Sequence, residues 1–126
     1  MAKKVGVWID HREAVLVSLT GETEAITQIA SDLEKHIRFA GGPERVSAED
    51  MRDRRYANHL NRYYEEVIAV LRDAEAILIF GPGEAKGELA KQLAAAHLGG
   101  RVVGVETVDK MTERQIAAHV REQFKP

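Results

Sequence analysis

The sequence predicts an α/β protein built on a mixed five-stranded sheet. The expected strand order is 3-2-1-4-5, with strand 2 antiparallel and helices on both faces. Three observations predict it. The first thirty residues hold three strand-like stretches joined by short polar turns. Ala76-Ile77-Leu78-Ile79-Phe80 is an unbroken apolar run between two helical patterns, as in a strand buried on both faces. The elements then follow as β-β-β-α-β-α-β-α, and right-handed crossovers make strands 1, 4 and 5 parallel.

The first strand runs from Lys4 to Ile9 and is rich in Val, Ile and Trp. Asp10-His11-Arg12-Glu13 is a polar turn. The second strand runs from Ala14 to Leu19, with Val15, Val17 and Leu19 alternating against Leu16 and Ser18. Thr20-Gly21-Glu22 turns the chain again. Thr23 to Ile29 mixes polar and apolar residues, as in an exposed strand. Turns this short join antiparallel neighbours.

Ser31 to Val46 shows neither period. A stretch of that length in a small domain is functional or disordered. It carries His36, Arg38, Gly41-Gly42-Pro43 and Arg45. Ser47 then reads as an N-cap, with Asp50 at the third helical position and Val46 stapled to Met51. The helix continues to about Arg72. Tyr56, Leu60, Tyr63, Tyr64, Val67 and Leu71 form one wide stripe on it. Arg55, Asn58 and Arg62 lie opposite, with His59 at the border. Such a helix is roughly 37 Å long, whereas a six-residue strand is about 20 Å. The helix is therefore expected to overshoot the sheet at its arginine-rich start.

Gly81-Pro82-Gly83 stops the fourth strand, and a helix begins at Glu84 with Leu89, Leu93 and Ala96 along one side. A strand-turn-helix of this kind leaves backbone N–H groups facing outward, which makes Gly81, Gly83 and Lys86 an anion seat in the functional reading. In the plainer reading, which this stretch alone favours, the glycines turn the chain and Lys86 is solvated. The helix is expected to close at His97 and to end on Gly99-Gly100. Arg101 to Glu106 is the fifth strand. Thr112 and Gln115 form a capping box, Met111 staples to Ile116, and Ile116, Val120 and Phe124 face the core.

At 126 residues the chain suits one domain, residues 1–126, and is long enough to do without a disulfide or metal staple. There is no cysteine, which excludes disulfides, thiolate metal sites and cysteine nucleophiles. No apolar run reaches the roughly 18 residues of a membrane helix. No signal-peptide core follows Met1-Ala2-Lys3-Lys4. The expectation is a soluble, cytoplasmic protein without membrane contact. The net charge of −2 is unevenly spread. Lys35 to Arg62 holds seven Lys/Arg against four Asp/Glu, a net of +3, which leaves −5 for the rest. Local basicity in an acidic chain points to a polyanion partner, and a solvated face with internal ion pairs is the competing account.

Several of these motifs together resemble the central domain of the eukaryotic and archaeal class-1 release factor and of its paralogue Pelota. Bacterial single-domain relatives of that domain are known as translational-machinery-like proteins. The resemblance runs through nearly the whole chain. It is carried by Val7-Trp8-Ile9-Asp10 with Ala14, by His36-Ile37-Arg38-Phe39-Ala40-Gly41-Gly42 and the basic helix Arg52 to Arg62, and by Val108-Asp109. Its most specific part is Gly81-Pro82-Gly83 with Lys86 and Leu89. It implies a ribonuclease H-like fold and action at the ribosomal A site. Release factors carry Gly-Gly-Gln at the loop tip to promote peptidyl-tRNA hydrolysis, whereas Pro43 holds the third place here. Proline has neither a side-chain amide nor a backbone N–H to donate.

The resulting expectation is a translation-associated RNA- or ribosome-binding protein, with the ribosome, tRNA or rRNA as partner. Its RNA-binding residues would be Arg38, Gly41, Gly42, Arg45, Arg52, Arg54, Arg55, His59 and Arg62, and no cofactor is implied. One alternative is a metal-dependent ribonuclease H-like nuclease using Asp10, with Glu24, Glu84 and Asp109 as possible partners. Asp10 has a plainer role as organiser of the hairpin turn. Another is a tRNA-ester hydrolase with His36 as base. His11, His59, His97 and His119 show no metal-ligand spacing with a carboxylate. Tyr56, Tyr63 and Tyr64 suit core packing better than base stacking. Catalytic residues are not identified, no metal site is expected, and the oligomeric state is open, with a homodimer as one option.

Overall fold

Val5, Val7 and Ile9 face one side of the first strand and Trp8 faces the other, and this alternation sets up two cores. The computed structural model describes residues 2–31 and 48–125, with side chains given for 2–31 and 60–125. The strands are β1 (Lys3–Ile9), β2 (Glu13–Thr20), β3 (Thr23–Ala30), β4 (Ala76–Gly81) and β5 (Val102–Thr107). The helices among the described residues are α1 (Ala48–Leu71), α2 (Ala85–Ala95) and α3 (Glu113–Gln123), with a 3₁₀ turn at Gly99–Arg101.

The sheet order is β3-β2-β1-β4-β5. β1 pairs antiparallel with β2 and parallel with β4, and β4 pairs parallel with β5. This is the order and polarity expected from the sequence. Two of the joining turns have local causes. Gly21 takes φ 62° as the first of the two residues between Thr20 and Thr23, a position open to glycine in a mirror-image turn. Asp10 Oδ1 accepts from the backbone N–H groups of Arg12 and Glu13, 2.8 Å each, and so closes the first hairpin.

On one face, α1 and α2 cover Val5, Val7, Ile9, Leu16, Ile77 and Ile79 with Leu60, Tyr63, Tyr64, Val67, Leu71, Leu89 and Leu93. On the other, α3 covers Trp8, Val15, Val17, Leu78 and Phe80 with Ile116, Ala117 and Val120, the one helix among the described residues to do so. Gly6 lets α3 approach, because a Cβ there would lie 2.2 Å from a Val120 methyl. Thr112 and Gln115 form the expected capping box. β3 is the outermost strand beside β2 and is largely exposed, as its mixed pattern foretold.

One expectation is corrected. α2 closes at His97, as expected, but it does not end on Gly99-Gly100. The left-handed residue that terminates it is His97, at φ 64°. The Leu98 N–H reaches the Leu93 carbonyl and the His97 N–H reaches that of Ala94, with Leu98 buried against the core. This is the 6→1 and 5→2 closure that usually employs glycine. A Cβ at that φ is unfavourable. His97→Gly is therefore expected to raise the stability by about 1 kcal/mol, seen as a higher urea midpoint.

Candidate functional site at the C-terminal rim of the sheet

The ends of the parallel strands β1 and β4 share a rim, the place where open α/β sheets take ligands. α1 runs against β1 in the opposite direction. At one end Lys3 Nζ lies 3.5 Å from the Val70 carbonyl and 2.9 Å from Asp73. At the other end the Tyr63 hydroxyl donates to the Asp10 carbonyl at 3.0 Å. The backbone of residues 48–59 runs on past that point as roughly 18 Å of helix.

A polar corner is built on this rim. His11 Nε2 lies 2.9 Å from Glu88 Oε1 on α2. The same oxygen accepts from the Tyr64 hydroxyl of α1 at 2.5 Å. The His11 carbonyl accepts from Ser31 Oγ at 2.7 Å, which pins the end of β3 to the hairpin. Burial pushes the Glu88 pKa up, but the hydrogen bonds from Tyr64 and His11 outweigh it and the net shift is downward. Glu88 is thus a carboxylate at neutral pH, and the stabilisation this brings fades only as acid protonates it. The Tyr63 hydroxyl is pushed far above its usual range, first by burial and then by the negative charge of Asp10. It stays protonated and works as a donor.

The residues singled out in the sequence fall into three groups. Arg38, Gly41, Gly42 and Arg45, with His36 and Pro43, lie outside the described residues. Arg52, Arg54, Arg55 and His59 sit on the helical backbone of α1, and their side chains lie outside the description. Arg62 is exposed on α1, next to the buried Tyr63. Of the strand-turn-helix, Gly81 is the last residue of β4, and Lys86 donates from Nζ to the Gly83 carbonyl. The need for glycine at Gly81 is steric, because a Cβ there would lie 2.1 Å from the Ile9 carbonyl oxygen.

The carboxylates of the nuclease alternative do not converge. Asp10 closes its hairpin. Glu24 pairs in register with Leu19, which pairs with Lys4, so it lies toward the opposite end of the sheet, where it accepts from Arg121 at 2.8 Å. Among the described residues no group of three or more His, Asp or Glu is placed to hold a metal ion. No helix among them is long and apolar enough to cross a membrane.

Sequence reasoning missed the His11–Glu88–Tyr64 corner. The residues are 77 and 24 positions apart, so spacing carried no trace of it. The one available signal was that tyrosines on a core stripe need acceptors for their hydroxyls.

No protein-family model matches the chain, and neither does any curated protein. Solved structures do. Pelota of Thermoplasma acidophilum matches at 14% identity with a TM-score of 0.62, over 98% of this chain and 33% of that one. Pelota of Archaeoglobus fulgidus matches at 16% with a TM-score of 0.59, over 97% and 31%. The archaeal translation termination factor aRF1 matches at 15% with a TM-score of 0.54, over 98% and 40%. The chain thus spans about a third of the length of the two Pelota structures. At such identities the likeness is one of fold, and the fold of this chain is that of a Pelota- and aRF1-like central domain.

Proposed function

We propose that this protein binds ribosomal or transfer RNA in translation, gripping phosphates with the basic segment between Lys35 and Arg62. The observation that carries this reading is the fold, shared over nearly the whole chain with Pelota and with a translation termination factor. The net +3 of that segment in an acidic chain supports it. So does the continuation of α1 beyond Tyr63, whose backbone carries Arg52, Arg54 and Arg55. The third place of the glycine tip is Pro43, so the reading is of a binding protein without release-factor hydrolysis.

Co-sedimentation with ribosomes at two salt concentrations tests it. With four phosphate contacts, the association constant is expected to fall about 100-fold between 50 and 200 mM salt. The double variant Arg52→Glu/Arg55→Glu should bind more weakly at low salt and show a shallower salt slope. A wild-type protein that stays in the supernatant at low salt, or whose binding ignores salt, would sink the reading.

A further inference from the structure

We propose that His11 is a general base that cleaves single-stranded RNA at a 2′-hydroxyl without a metal ion. The proposal rests on the RNA-binding reading above, and its own support is the geometry of the rim.

A base of this kind needs a ring nitrogen with a free lone pair, open to solvent, on an imidazole that a third group keeps in place. His11 has each property. A carboxylate only accepts, so the contact from Nε2 to Glu88 places the proton on Nε2 and leaves the lone pair on Nδ1. Nδ1 has no partner among the described residues. The His11 side chain is one-third exposed, at 33%. Glu88 is itself held by the Tyr64 hydroxyl, so the imidazole has an orienting group that is oriented in turn. The backbone below it is fixed by Ser31 and by the Asp10 turn.

The molecule contains its own control. His119 and Glu106 also lie 2.9 Å apart, on the α3 side of the sheet. There the ring packs on Phe80, with centroids 4.8 Å apart, and no further side chain among the described residues holds Glu106. That pair is a packing feature. The His11 pair carries the extra support that a proton-transfer group requires.

The RNA-binding reading supplies the substrate. The neighbouring Ser31 hydroxyl is engaged with the His11 carbonyl. Under the RNA-binding reading, a base alone suffices if the substrate brings its own nucleophile. RNA does so, because each 2′-hydroxyl lies beside a phosphodiester. Nδ1 takes the 2′-hydroxyl proton, and the 2′-oxygen bonds to phosphorus. The bond from phosphorus to the 5′-oxygen breaks, and water protonates the departing oxygen. The products are a 2′,3′-cyclic phosphate and a 5′-hydroxyl. The charged group in contact with the imidazole is Glu88, which is in turn influenced by Tyr64 and Lys91, while Asp10 and Glu13 on the hairpin act on Tyr63 of α1.

The test incubates the full chain, with EDTA, with an end-labelled single-stranded RNA and with the same strand made 2′-deoxy. Binding of the RNA is measured in parallel. Cyclic-phosphate ends are expected on the RNA only. His11→Gln should lower the rate by about 100-fold or more while RNA binding persists. Glu88→Gln should lower it less and change the pH profile. RNA that is bound but left intact overturns the proposal and leaves the binding function standing. Equal cleavage by His11→Gln also overturns it, since the activity would then come from elsewhere. A chain that binds no RNA overturns both.

Discussion

Gly81→Ala is expected to destabilise the protein by about 3 kcal/mol, the upper end of the usual range for overpacking. The added Cβ would lie 2.1 Å from the Ile9 carbonyl oxygen and 3.2 Å from its carbon. Both are backbone atoms of the central strand, so no rotamer change relieves the contact. β1 and β4 would have to part where their ladder ends, at Trp8 and Phe80. The bond from the Val108 N–H to the Gly81 carbonyl, 3.1 Å, would be disturbed as well. Against a total stability of about 5–15 kcal/mol, such a loss is easily measured as a lower urea midpoint. Gly83→Ala is the control two residues on. Nothing lies within 4 Å of its Cβ position, and its φ is not left-handed. A change within about 0.5 kcal/mol is expected there, as at ordinary surface sites. Equal losses at both positions would refute the steric account of Gly81.

The same glycine shows where the sequence was legible and where it was not. The alternation from Val5 to Ile9 and the run from Ala76 to Phe80 report burial directly, because the sheet's period of two is written into the residue order. Together with the handedness of crossovers, they suffice for strand order and for the placement of the helices. A glycine at a strand end looks the same whether it turns the chain, cradles an anion or yields to a neighbouring backbone. Only the register of β4 against β1 decides, and that register is a property of the fold. The end of α2 was legible in its place, at His97, but not in its means. Gly99 and Gly100 stand where a helix stop is expected, but the bonds of Leu98 and His97 to Leu93 and Ala94 close the helix two residues earlier. The His11 corner was illegible for another reason. It joins a turn, a stripe tyrosine and a glutamate on the next helix, and none of these is unusual in its own segment.

Trp8→Ala is expected to cost about 3–5 kcal/mol, and the cost should fall first on α3. Trp8 is 1% exposed and is the largest side chain of the smaller core. Among the described residues that core has one helix as its cover, and Ile116, Ala117 and Val120 supply its packing onto Trp8. The face under α1 and α2 is different, because two helices share it and its packing does not pass through Trp8. Hydrogen exchange should therefore show lost protection in Glu113–Gln123 before β1, β4 or α2 is affected. Trp8→Phe separates volume from hydrogen bonding. It keeps most of the ring and loses only the bond from Nε1 to the Asp109 carbonyl, which is long at 3.4 Å. Its cost should be well below that of alanine. The chain has one tryptophan, so both variants lose the fluorescence probe and far-UV dichroism must report the unfolding. If alanine lowered protection evenly across the sheet and α1, α2 and α3, the two cores would be one cooperative unit, and the separate role given to α3 would fail.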